Sequence, residues 1–252
     1  MTPPRLLDEN ALKEREQKII VVAISIIEHF GIENLTMDKV VSKVPFSKGT
    51  VYKHFISKED LLLAIGNHAI NVMSELFYRT YEYKGCSRER MLLLNFSYLI
   101  YAILYPALFQ TVLCSKSPSV VGKASERRVN EYEQLELKLI TAFHGIVEDG
   151  ITDNSLVLPD HMDVAQICFA NWSTAYGAIT LLSDEVEQCS GRNDMVVERE
   201  LFNHSNLLLD GMDWKPLTKN KKYCAELISA LEQLFPDELA LMKEKGRELN
   251  IS

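Results

Sequence analysis

The chain has 252 residues, 47% of them apolar and 25% charged, enough to bury a sizeable core and too apolar for long disordered stretches. Its five cysteines (Cys86, Cys114, Cys168, Cys189, Cys224) are odd in number and never form a CxxC pair, which argues against a disulfide framework or a zinc cage. The net charge of −8 argues against a polyanion partner only until it is divided along the chain: residues 1–60 carry nine basic and nine acidic side chains, leaving the whole excess to the remainder. Residues 36–58 hold five lysines (Lys39, Lys43, Lys48, Lys53, Lys58) against one acid, Asp38, an asymmetry able to orient a molecule on a polyanion.

Apolar residues recur at helical spacing almost throughout, and no Asn-Gly or Asp-Gly hairpin separates alternating runs, so the fold class expected is all-α. Breakers divide the chain into predicted helices near 11–30, 36–44, 47–55, 58–84, 88–104, 106–113, 119–149, 160–187, 194–210, 218–234 and 237–249. Met1–Asn10 has no apolar signal region, which predicts a cytoplasmic protein. Ile19–Ile27 is too short for a membrane crossing of about 20 apolar residues. Met91–Phe109 is interrupted by Asn95, Ser97, three tyrosines and Pro106, and reads as a buried core helix.

The front of the chain is patterned in detail. The first helix carries an inward stripe of Ile19, Val22, Ala23, Ile26, Ile27 and Phe30, and Gly31 stands where a left-handed residue ends a helix. Thr36 is an N-cap for a helix that turns Met37, Val40, Val41 and Val44 inward. Val44-Pro45 stops it, because a residue before proline is pushed out of the helical region. Ser47 caps the next short helix, Lys48–Phe55. Two short helices across a tight turn make a helix-turn-helix. In the second, Val51 and Phe55 pack inward while Lys48, Gly49, Tyr52 and Lys53 form outward rows, with Thr50 in the first turn. Lysine, threonine and tyrosine have the reach for base edges and phosphates, Gly49 lets the backbone approach, and helix N-termini at Thr36, Ser47 and Ser57 suit phosphate oxygens.

The run from Thr36 through Leu62, TMDKVVSKVPFSKGTVYKHFISKEDLL, resembles the DNA-binding motif of the TetR/AcrR family of regulators. The matching positions are Gly31, Thr36 and Val40, then Ser47, Gly49, Thr50, Val51, Tyr52, His54, Phe55, Ser57, Lys58, Glu59 and Leu61. The resemblance implies that Lys48, Thr50 and Lys53 face bases or nearby phosphates, that Tyr52, His54 and Thr36 hold the DNA backbone, and that Lys58 takes another phosphate. The family usually has alanines where this chain has Val41 and Val44, and Gly-Val where it has Pro45-Phe46, so a slightly different turn is expected.

The resemblance also implies a DNA-binding domain at 1–57 and a helical ligand-binding and dimerisation domain at 58–252. In the latter, Ala170, Thr174, Gly177, Ala178 and Leu181 form a face of mostly small residues suited to a homodimer contact. Phe169, Trp172 and Tyr176 on the adjoining face, with Tyr98, Tyr101 and Phe109, offer an apolar pocket for a small-molecule effector. His144-x-x-x-Glu148 and His161-x-Asp163 do not complete a metal set, and no phosphate loop, nucleophile elbow or HExxH is present, so neither an enzyme nor a cofactor is expected. The expected function is a regulator on double-stranded operator DNA, repressing until a small apolar ligand releases it. The alternatives are an activator, or a dimer of the same fold acting through protein partners.

Overall fold

The computed structural model describes residues 9–183 and 190–251. Among these the regular elements are α1 (Glu9–Phe30), α2 (Met37–Lys43), α3 (Lys48–His54), α4 (Lys58–Glu82), α5 (Ser87–Leu104), α6 (Pro106–Ser115), α7 (Pro118–Val121), α8 (Glu126–Thr152), α9 (Val164–Leu181), α10 (Val197–Gly211), α11 (Cys224–Leu234) and α12 (Pro236–Glu244), with a 3-10 turn at Ile32–Asn34. All are helical, as the periodicity predicts. Among the described residues, no single helix is long and apolar enough to cross a membrane.

The contacts divide the chain into two units. The first holds residues 1–71 and 105–136. Its core is built from Ile19, Ala23, Ile26, Ile27, Leu35, Met37, Val40, Val51, Phe55 and Leu61, all buried. Three members of the expected stripes are not: Phe30, the last residue of α1, is 52% exposed, and Val22 and Val41 are only half-buried. Gly66 on α4 lets α6 come close, since a Cβ there would lie 2.1 Å from Ser115 Oγ. The single predicted helix at 119–149 is two, α7 and α8, parted at 122–125. The break has a physical cause: the buried Asp60 carboxylate accepts the Ser125 N–H at 2.9 Å and its hydroxyl at 2.7 Å, which fixes Ser125 ahead of α8.

The second unit holds residues 72–104 and 137–252. Nearly every residue of α5 from Met91 to Leu104 is buried, which explains its membrane-like hydropathy. Arg88, 0% exposed at the head of α5, meets Asp210 at 2.8 Å, the Trp214 carbonyl at 2.7 Å and Asn206 Oδ1 at 3.0 Å. The same corner is closed by the Trp214 indole, which donates to Ser87 Oγ at 2.9 Å, and by the Tyr223 ring, over which Arg88 lies. The predicted helix at 218–234 begins only at Cys224, because Thr218 is bonded to Asp210 and the Tyr223 hydroxyl to the Pro216 carbonyl. The predicted helix at 160–187 runs from Val164 to Leu181, and the end predicted for it lies outside the described residues.

Candidate nucleic-acid interface

Local chemistry shapes the front helices. Gly31 has φ +81°, a left-handed conformation that a side chain strains, and a Cβ there would also strike the Glu33 carboxylate. Thr36 Oγ1 accepts the Lys39 N–H at 3.3 Å and so caps α2, while Val44 is extended (φ −98°, ψ 150°) before Pro45. Ser47 Oγ accepts the Thr50 N–H at 3.2 Å and lies 2.9 Å from Thr50 Oγ1. Both cap oxygens thus accept a backbone N–H within the motif, which leaves their hydroxyl hydrogens to donate.

The seven-residue α3 is sharply two-sided. Val51 and, just beyond it, Phe55 are 0% exposed, whereas Lys48, Gly49, Tyr52 and Lys53 are exposed. Thr50 is half-buried, Ser47 and Thr36 are exposed, and Lys58 is half-buried in the first turn of α4. One of the nine residues is not brought into this row. The His54 side chain is 9% exposed, and its Nδ1 lies 3.6 Å from Glu16 Oε2, so it turns into the protein.

Three features escaped sequence reasoning. Lys48 Nζ bonds Asp38 Oδ1 at 2.9 Å across the turn and lies 5.7 Å from the Tyr52 ring centroid. Asp38 raises the Lys48 pKa above the ordinary lysine value, first by its hydrogen bond and then by its charge. Lys39 and Lys43 both lie over the exposed Phe30 ring, at 5.9 and 5.4 Å, which adds an aromatic platform and two cations to the same segment. Behind α3, Glu16 meets Arg127 at 2.8 Å and Arg128 at 2.5 Å, and Arg128 also takes Glu131 at 3.0 Å and lies 5.2 Å from the Phe55 ring centroid. Burial opposes ionisation of Glu16, but the two guanidiniums outweigh it and hold its carboxyl below the usual range. Arg127 and Arg128 lie more than a hundred residues from Glu16, so no local pattern announces the cluster.

In the second unit, Tyr98 and Tyr101 are buried and stacked with centroids 6.3 Å apart, and the Trp172 indole donates to Tyr98 Oη at 3.3 Å. Burial pushes the Tyr98 pKa well up. Trp172 also packs against Phe169 and Tyr176, with Phe169 62% exposed. Phe109 belongs to the first unit and is half-buried there. A separate surface groove of about 330 Å³, lined by Tyr83, Leu92, Leu93, Lys221, Tyr223 and Leu227 among others, includes none of the six. On α9, Leu181 is exposed, Gly177 has no atom within 4 Å of where a Cβ would stand, Ala170 and Thr174 are half-buried, and Ala178 is buried within the protomer.

Residues 19–65 match the family of bacterial regulatory proteins, tetR family. An HTH-type transcriptional regulator of Staphylococcus aureus is 35% identical over 49 residues, 19% of this chain and 26% of that protein. The matched segment thus spans about a quarter of the length of the curated relatives. Among solved structures, a TetR family transcriptional regulator, PfmR, from Thermus thermophilus superposes with a TM-score of 0.56 at 18% identity, covering 77% of this chain and 97% of that one. The transcriptional regulator FadR from Bacillus subtilis, in complex with stearoyl-CoA, superposes with a TM-score of 0.55 at 15% identity, covering 80% and 98%. A protein of unknown function from a Rhodococcus species reaches 0.64 at 16% identity, covering 84% and 100%.

Proposed function

We propose that this chain, which has the tetR-family regulator fold and carries that family's DNA-binding segment at residues 19–65, is a sequence-specific transcriptional repressor released by a small apolar ligand. One observation carries the reading: α3 exposes Lys48, Gly49, Tyr52 and Lys53 on one side while Val51 and Phe55 are wholly buried on the other. A helix anchored on one side with cations and hydrogen-bonding groups on the other fits the major groove. Thr36, Ser47, Thr50 and Lys58 flank that face and take the phosphates. DNA reading is assigned to residues 1–57, and ligand binding and dimer formation to 58–252.

One short helix reads few base pairs, so the working form is a two-fold homodimer on a near-palindromic operator, half-sites about 34 Å or more apart. Ala170, Thr174, Gly177, Ala178 and Leu181 are proposed for the dimer face, where exposed Leu181 and open Gly177 leave room for a second copy. Tyr98, Tyr101, Phe169, Trp172 and Tyr176, all in the second unit, are proposed for the effector. A solved neighbour of the same fold holds stearoyl-CoA, a ligand with a long apolar acyl chain. The protein acts in the cytoplasm, where operator DNA lies.

The experiment is selection of bound fragments from random DNA with the purified protein. The expected product is an inverted repeat enriched over several rounds, bound by two protomers. Recovery of unpatterned DNA, or of none, would refute the reading.

A further inference from the structure

Asp38 is the one acid among residues 36–58, and it stands beside the most forward cation of the outward face. Its Oδ1 lies 2.9 Å from Lys48 Nζ, with the two side chains 80% and 63% exposed, so the pair is presented to solvent rather than built into the core. Lys48 Nζ also lies 5.7 Å from the Tyr52 ring centroid, which limits the positions its ammonium can take. An exposed ion pair contributes little to folding. It does lower the phosphate affinity of a surface otherwise rich in lysine, because Lys48 already has a counterion.

What the pair offers a base pair is more specific. The ammonium keeps free N–H donors, and the carboxylate next to it is purely an acceptor. In the major groove, guanine shows two neighbouring acceptors, N7 and O6, and its cytosine shows one donor, the N4 amine, immediately beside them. A donor and an acceptor held about 3 Å apart match that edge in one orientation only; adenine too sets an N7 acceptor beside an N6 donor, but only guanine gives the ammonium two acceptors, N7 and O6, with the cytosine amine beside them for the carboxylate.

We propose, resting on the regulator reading, that Asp38 and Lys48 act together as a composite reader of one G·C pair in each half-site: Lys48 donates to guanine and Asp38 accepts from the cytosine amine. Asp38 also rejects the reversed pair and keeps Lys48 from binding phosphate indiscriminately.

The test uses the full-length protein, its selected DNA fragment, the same fragment with that G·C pair reversed, and scrambled DNA. Asp38→Ala and Asp38→Asn alter an exposed side chain, so both should melt with the wild type. The expected result is that Lys48→Ala and Asp38→Ala each relax preference at the same G·C pair, by roughly tenfold. Asp38→Ala should also tighten binding to scrambled DNA and steepen its salt dependence by about 0.9 in slope per protomer, as a freed lysine takes a phosphate. If Lys48→Ala relaxes a base preference that both Asp38 variants keep, or if the shared position is an A·T pair, the composite reader is overturned while the regulator stands. A wild-type protein that binds no DNA even at low salt overturns the regulator reading and this inference with it.

Discussion

Glu16→Gln removes one charge and almost no volume from the cluster behind α3. The wild-type carboxylate meets Arg128 at 2.5 Å and Arg127 at 2.8 Å, and the Arg128 side chain is only 3% exposed. Removing one partner of a buried ion pair costs about 3–5 kcal/mol when the other charge is left alone. Here Glu131, 3.0 Å away, still faces Arg128, and glutamine can still accept one hydrogen bond, so about 2 kcal/mol is expected. For a chain of this length that is a fall of about 4–8 °C in Tm. In an Arg128→Met background the same change should cost about 1–3 kcal/mol less, the coupling of a contacting pair. The acid dependence follows from the lowered Glu16 pKa. A depressed carboxylate stabilises the fold above its unfolded pKa of about 4.3 and loses that contribution as pH falls through its folded value. The stability gap between wild type and variant should therefore close as pH falls through the acid range. Urea unfolding across that range reads it directly. A Tm change below about 1 °C at pH 7, or a cost unaltered by Arg128→Met, would refute the cluster as a support for α3.

Other perturbations probe separate parts of the account. Gly66→Ala places a Cβ 2.1 Å from Ser115 Oγ, and overpacking should destabilise by about 1–3 kcal/mol, with Ser115→Gly restoring most of it in denaturant melts. At Gly177 an added Cβ meets nothing within 4 Å outside its own helix backbone, so Gly177→Phe starts into open space and should leave a folded protein that sediments as monomer; an unchanged dimer would move the interface off this face. Trp172→Ala removes the donor to Tyr98 and should abolish effector-induced release with operator affinity nearly unchanged. A variant still released at the same effector concentration would take Trp172 out of the ligand site.

The front motif was legible because its signals are local. Gly31, the Thr36 and Ser47 caps, and the Val44-Pro45 stop each act within three or four residues, and each stands where periodicity puts it. Periodicity failed where a stripe outlasts its neighbour. Phe30 continues the spacing of Ile26 and Ile27, yet at the end of α1 it is exposed, and Lys39 and Lys43 lie over its ring. The break at 122–125 was not legible, since it depends on Asp60 binding Ser125 sixty-five residues away. His54 shows the same limit. The resemblance groups it with backbone contacts, and only the fold brings Glu16 close enough to turn it inward. The Asp38–Lys48 pair lies between: ten residues apart, it becomes visible once two capped helices and their turn are built.

The central claim is that the exposed row of α3 binds the operator, and the most direct measurement is the operator affinity of the double variant Lys48→Ala, Lys53→Ala. Both side chains are exposed, so Tm should stay within about 1 °C of the wild type. Binding should be at least roughly a hundredfold weaker at the same salt concentration, with a shallower salt slope. Binding within twofold of the wild type, by a protein that melts normally, would contradict it.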